Sequence, residues 1–231
     1  MLIYFNGDSN TEGTELDNPS EQGFAGKLAK KFNAQHINQA FAGASNDKIF
    51  RTTEEYLQEC KTKNQFPDLI IIGWTEWIRE DWFINGEYHS LNSFGLRNPE
   101  TVDQARFKQW EEYQAYNLQF SYHLSKYFST RIHNLHLELE HLNIPHLFFS
   151  ATRPFSWNEE LFREDPRYGP VYQLEWNNCY FRPYDPRGTM IFWAEDNNYK
   201  EITPGWNHYN ESAQEGWANL LHKHINEYKI I

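Results

Sequence analysis

The run Leu69-Ile70-Ile71-Ile72-Gly73, led in by Pro67-Asp68, constrains the fold more than any other segment. Four consecutive large apolar side chains leave neither face of a strand for water, so both must be covered. Parallel sheets meet that condition, because their crossover helices lie above and below the strands. Matching parts occur along the chain. Leu2-Ile3-Tyr4-Phe5 reads as a short buried strand, His36-Ile37-Asn38 as a second and His146-Leu147-Phe148-Phe149-Ser150 as a fourth. Residues 20–32 read as a helix, with Phe24, Leu28 and Phe32 four apart. Ser45, Asn46 or Asp47 caps another, which carries Ile49, Thr53, Tyr56, Leu57 and Cys60 on one face. A long helix over 107–142 keeps Trp110, Tyr113, Phe120, Leu124, Tyr127, Leu135, Leu139 and Leu142 near the helical period, and Asn143-Ile144-Pro145 ends it. The last helix spans about 211–228, opened by Ser212 and Glu215 as a capping box.

Two stretches break this alternation. Residues 77–106 read as an irregular insertion with Trp77, Trp82 and Phe83. Residues 153–207 hold six prolines and many aromatics, which is too long for a plain loop. Within it, Thr189-Met190-Ile191-Phe192-Trp193 reads as an added strand. The expected architecture is α/β: a three-layer α/β/α sandwich with a central, mostly parallel sheet and aromatic-rich insertions. The 231 residues fit one domain, 1–231, with insertions at about 77–106 and 153–207.

Composition excludes several function classes. The 21 basic and 32 acidic residues give a net charge of −11, which disfavours nucleic acid and anionic membranes as partners. No apolar run approaches the roughly 20 residues of a membrane helix. Two cysteines, Cys60 and Cys179, cannot build a disulfide framework or a four-thiolate zinc site. Met1-Leu2-Ile3 runs straight into the first strand without a signal peptide, so a cytoplasmic location is expected. His133 and His136, and His222 and His224, read as packed or solvated rather than metal ligands. Arg79-Glu80 and the acidic stretch 138–140 read as surface ion pairs. No metal and no cofactor is expected. Nothing in the sequence addresses the oligomeric state.

The candidate chemistry gathers at strand ends. Gly7-Asp8-Ser9 directly follows the first apolar run. The three residue types are also the commonest in turns, so the tripeptide alone is a weak signal. Asn38-Gln39-Ala40-Phe41-Ala42-Gly43 ends the second strand and Gly73-Trp74-Thr75-Glu76 the third. Gly205-Trp206-Asn207-His208 precedes the last helix. Ligands of open α/β sheets bind at such carboxyl ends. A serine there can attack, and its N–H can help hold an oxyanion. No phosphate-cradling glycine run follows the first strand, which argues against a nucleotide site.

In block order from residue 2 to about 225, these segments resemble the SGNH (GDSL) hydrolase family, whose fold is flavodoxin-like. The resemblance implies a serine esterase acting on a small-molecule or glycan ester, such as an acetylated carbohydrate. It makes Ser9 the nucleophile and His208 the general base. Ser9, Gly43 and Thr75 form the oxyanion hole, with Thr75 standing where the family keeps an asparagine. The family's acid lies three residues before the histidine, and here Gly205 occupies that place. The chain then works as a Ser–His dyad, or the imidazole is oriented by a backbone carbonyl or by an acid from the preceding insertion (Asp185, Glu195 or Asp196). Asp8, Asn10, Trp74, Arg153 and Trp206 are candidate pocket residues. The aromatics Trp157, Tyr168, Tyr172, Trp176, Tyr180, Phe181 and Tyr184 either stack on sugar rings or cover the sheet, covering being the simpler reading. The Gly-Trp-Thr block and the aromatic, proline-rich insertion also resemble SGNH-like proteins of bacteriophages. That implies the alternative, a non-catalytic ligand-binding or structural, virion-associated protein.

Overall fold

The computed structural model describes residues 1–91, 104–117, 121–155 and 174–231. Trp157, Tyr168 and Tyr172 lie outside them, as does Phe120. Strand β3 (Leu69–Trp74) is buried along its whole length. On one side it pairs with β1 (Leu2–Asn6), which in turn pairs with β2 (Gln35–Asn38). On the other side it pairs with β6 (His146–Ser150), and β6 with the two-residue β7 (Tyr180–Phe181). All four pairings are parallel, in the spatial order β2-β1-β3-β6-β7. Strand order reverses between β1 and β3, and such a switch point leaves a crevice at the carboxyl ends.

The period of two in a strand sends alternate residues to opposite layers. Tyr4, Ile70, Ile72 and Phe148 pack under α4 (Asn46–Lys63) and α6 (Ser121–His141), against Ile49, Leu57, Ile132 and Leu139. Ile3, Phe5, Leu69, Ile71, Leu147 and Phe149 face the other way. They meet Phe24 and Leu28 of α3 (Phe24–Lys31) and Trp217, Leu221 and Ile225 of α8 (Glu211–Glu227). This is the expected three-layer sandwich.

Several expected elements take other forms. The helix expected over 20–32 is two, α2 (Pro19–Gln22) and α3, divided at Gly23. Gly23 is extended, with ψ 153, and a Cβ there would meet the Pro19 carbonyl oxygen at 2.6 Å. Of the long helix expected over 107–142, the described residues show α5 (Gln104–Asn117) and α6, and residues 118–120 lie outside them. Thr189–Trp193 is not a strand. Thr189 caps α7 (Met190–Asp196), its hydroxyl accepting from Phe192 N–H at 3.1 Å. A five-residue apolar run has no period that separates strand from helix, and the cap decides. Helix α8 is capped by Asn210, which accepts from Ala213 N–H, rather than by a Ser212 box.

The irregular insertion expected from residue 77 contains a hairpin, β4 (Glu80–Ile84) with β5 (Glu87–Leu91). Its turn is Asn85-Gly86, with φ +53 and +88, the pair that hairpin turns prefer. Asp81 ties the hairpin to α4. Its carboxylate accepts two bonds from Arg51 at 3.1 Å, one from Ser45 at 3.1 Å and one from Ser90 at 2.8 Å.

Candidate active site

The end of β1 is locked before it delivers its serine. Asn6 donates to Thr52, Thr53 and the Ile49 carbonyl of α4, and accepts from Gly7 N–H. Gly7 and Gly73 leave room for Thr11: a Cβ on either would come within 2.5 Å of its hydroxyl. Asp8 then caps the single turn α1 (Ser9–Glu12), accepting from Asn10 N–H at 3.0 Å. Ser9 therefore begins a helical turn at the strand end and is 7% exposed. Among the described residues neither its N–H nor its hydroxyl makes a hydrogen bond.

The second and third strand ends close around it. Asn38 donates to the Thr11 carbonyl at 2.9 Å. Gly43, with φ +74, brings backbone to the cavity wall in a conformation that side chains resist. Asn46 clamps Thr75 at two points, donating to its carbonyl and accepting from its N–H, both at 3.0 Å. The Thr75 hydroxyl donates to Asp8 Oδ2 at 3.0 Å. A hydroxyl has one proton, so in this arrangement Thr75 has none to offer an oxyanion.

Of the charged wall the sequence pointed to Arg153 and not to Glu76 or Arg79. Arg79 is not a surface partner of Glu80. Its side chain is 15% exposed and bonds Glu76 at 3.1 Å, with Asp8 at 3.5 Å. Glu76 also approaches Arg153 at 4.0 Å, so one carboxylate lies between two guanidinium groups. Trp74 does not reach the pocket. It is buried between Phe50 and Phe148, with ring centroids 4.6 and 5.6 Å away.

His208 is placed by the turn before it. Glu201 accepts from Gly205 N–H at 2.5 Å and Asn207 N–H at 2.9 Å, and Ile202 N–H donates to the His208 carbonyl at 2.8 Å. Gly205 has φ +83 and Asn207 +57. Gly205 thus occupies a left-handed turn and has no side chain to offer the imidazole. The carboxylate comes from elsewhere: Glu15 Oε2 lies 2.9 Å from His208 Nδ1. Carboxylates only accept, so Nδ1 carries the proton and Nε2 remains as the basic nitrogen. Glu15 itself has φ +69, a strained state for a non-glycine residue, as recurs where side chains are held for function.

Among the described residues none of the three acids expected to orient His208 pairs with it. Asp196 and Glu195 pair with Arg187, and Asp185 lies 3.6 Å from Arg182. Their arginines are neighbours in sequence, which keeps these carboxylates within their own insertion. Glu195 does line the cavity. Glu15 carries no motif of its own. The only sequence cue was its place in the loop after the serine turn.

A cavity of about 450 Å³ joins these parts. Its wall includes Ser9, Asn10, Gly43, Arg79, Arg153, Trp206 and His208. Asp8 lies beneath, fully buried. No hydrogen bond joins Ser9 to His208 in this structure. Two further wall atoms, Asn10 Oδ1 and Thr152 Oγ1, are buried without a partner among the described residues. Such atoms are costly unless a ligand or water meets them. Of the aromatics in the 153–207 stretch, Trp176, Tyr180 and Phe181 are core residues covering the sheet. No described helix is long and apolar enough to cross a membrane.

Comparison with solved structures identifies the fold. The esterase EstA from a Pseudoalteromonas species aligns over 99% of this chain and 98% of its own, at 15% identity and a TM-score of 0.52. The acetyl xylan esterase AlAXEase aligns over 96% and 98%, at 15% identity and 0.42. A member of the lipolytic G-D-S-L family from Veillonella parvula aligns over 98% and 97%, at 13% identity and 0.39. At such identities the likeness to EstA concerns the fold alone, an α/β sandwich around a mostly parallel five-stranded sheet. No curated protein matches in sequence. Residues 8–163, about two-thirds of the chain, match a family described only as one of unknown function, and the chain belongs to that family, DUF6071.

Proposed function

We propose that the protein is a serine ester hydrolase in which Ser9 attacks, His208 carries the proton and Glu15 orients His208. One observation carries this reading: Ser9, Gly43 and His208 line one cavity while Glu15 holds the far nitrogen of the imidazole. In the reaction, Ser9 Oγ adds to the acyl carbon and its proton passes to His208 Nε2. The Ser9 and Gly43 N–H groups receive the charge that forms on the carbonyl oxygen. His208 then protonates the departing alcohol oxygen, and water repeats the sequence to free the acid. The Ser9–His208 hydrogen bond is made when substrate fills the cavity, since such bonds commonly tighten only then.

Acetylated carbohydrate is the substrate class the wall suits best. Asn10 Oδ1 and Thr152 Oγ1 can bond sugar hydroxyls, and Trp206 supplies a flat apolar surface at the same wall. The test is hydrolysis of a short-chain aryl acetate. Ser9→Ala should lower kcat by about 10⁶-fold. Background rates from both wild type and variant would instead favour the non-catalytic binding module on the same fold.

A further inference from the structure

The opposite edge of the sheet holds a second cluster that the proposed reaction does not use. His146 opens β6, Cys179 directly precedes β7, and His136 and Glu140 lie one turn apart on α6. Ser9 lies beyond the carboxyl end of β1, whereas these residues gather at the amino ends of parallel strands. One nitrogen of each histidine and the Cys179 sulfur all lie within 4.8 Å of one another.

The hydrogen bonds around the two imidazoles leave that centre short of a positive charge. His146 Nδ1 lies 2.9 Å from the Ile144 carbonyl, which can only accept, so Nδ1 bears the proton and Nε2 is bare. His136 Nε2 faces a Glu140 carboxylate oxygen at 3.5 Å, which favours the proton there and leaves Nδ1 bare. Yet His136 Nδ1 and His146 Nε2 are 2.8 Å apart. Two lone pairs at that distance need a cation between them, or else His136 must turn its proton inward and aim a bare nitrogen at the carboxylate. Both rings are at most 2% exposed, which opposes an extra proton.

The outer contacts are those of metal-bound histidines. One ring nitrogen faces a carboxylate oxygen at 3.5 Å and the other ring donates to a backbone carbonyl at 2.9 Å, contacts of the kind that turn the free nitrogen toward a metal. Glu140 is itself held by Asn177 at 2.7 Å, two residues before Cys179. The Trp176 ring stands 5.6 Å from that of His136 and screens the site.

We propose that His136 Nδ1, His146 Nε2 and Cys179 Sγ bind a zinc ion that ties α6 to β6 and β7. Two imidazoles and one thiolate suit zinc better than calcium or magnesium, which take oxygen ligands. On loading, the thiol releases its proton to solvent and water takes the fourth position. Zinc–nitrogen bonds of about 2.0–2.1 Å in a tetrahedron separate the nitrogens to about 3.3 Å, a small opening from their present contact.

The test titrates the metal-free full chain with cobalt(II), whose thiolate charge-transfer band and visible ligand-field bands report a tetrahedral sulfur-containing site. One equivalent should bind, and zinc should displace it. Cys179→Ser should abolish the thiolate band, and Glu140→Gln should weaken binding by about 10- to 100-fold. Alkylation of the wild-type chain, mapped by mass spectrometry, reads the same site without any variant: zinc should protect Cys179 and a chelator should expose it. A wild-type chain that takes up no cobalt and alkylates equally with and without zinc would overturn the site, leaving the histidine pair as an ordinary hydrogen bond. Retention of the thiolate band in Cys179→Ser would overturn it as well.

Discussion

Glu15 reaches His208 across 193 positions of chain, from the loop that follows the serine turn. Serine and acid therefore share one short segment, with the histidine alone arriving from the far end. Glu15→Ala should lower kcat on an aryl acetate by roughly 10⁴-fold while the protein stays folded, as loss of a triad acid does elsewhere. Asp196→Asn should leave the rate unchanged, because Asp196 is committed to Arg187. Steady-state kinetics of the two variants side by side separates Glu15 from the insertion acids. Ser9, Gly43 and His208 were singled out in the sequence by the recognisable blocks around them, and they line one cavity. Glu15 could not be, because its contact with His208 is a tertiary approach that no local pattern encodes. Thr75 was legible as a strand-end residue, but its proton goes to Asp8, a partner 67 positions away.

At the scale of elements, local signals agree with the fold wherever burial and periodicity point the same way. β1, β3, α4 and α8 were legible for that reason. The elements that differ turn on a cap or a turn: Thr189 at the head of α7, Gly23 between α2 and α3, and Asn85-Gly86 in the hairpin. The hairpin depends on a long-range anchor. Asp81 has a side chain 1% exposed and Arg51 one 24% exposed. Breaking a buried pair costs about 3–5 kcal/mol, and the partial exposure of Arg51 places Asp81→Ala near the lower bound. Hydrogen exchange should show the amides of β4 and β5 losing protection in that variant, with those of β3 unaffected. Equal protection in both proteins would mean that the hairpin is held by its apolar contacts instead. A second clasp joins α3 to α8, where Lys27 bonds Glu211 at 2.8 Å and Lys31 bonds Glu215 at 2.7 Å. The Lys27 bond holds the Glu211 carboxyl below its ordinary range, and the Lys31 bond does the same for Glu215. Because these groups bind protons less readily folded than unfolded, their contribution is present above the unfolded carboxylate range and is lost as pH falls through the folded values. Both carboxylates are well exposed, so the effect is modest. Thermal midpoints measured against pH should fall less steeply on the acid side for Lys27→Met than for wild type.

Over the whole molecule, one parallel sheet presents two chemically distinct edges. Its carboxyl edge gathers a serine, a histidine and two arginines around a cavity. Its amino edge gathers two histidines and a cysteine under α6. Each cluster draws residues from distant parts of the chain, so neither forms before the layers assemble. The central claim concerns the first: that Ser9 is activated by a histidine held in register by Glu15. Labelling with a fluorophosphonate, read residue by residue in a mass spectrometer, tests it most directly. The account predicts one adduct, on Ser9, that fails to form in His208→Ala and forms much more slowly in Glu15→Ala. An unlabelled wild-type protein, or an adduct on any other serine, would contradict it.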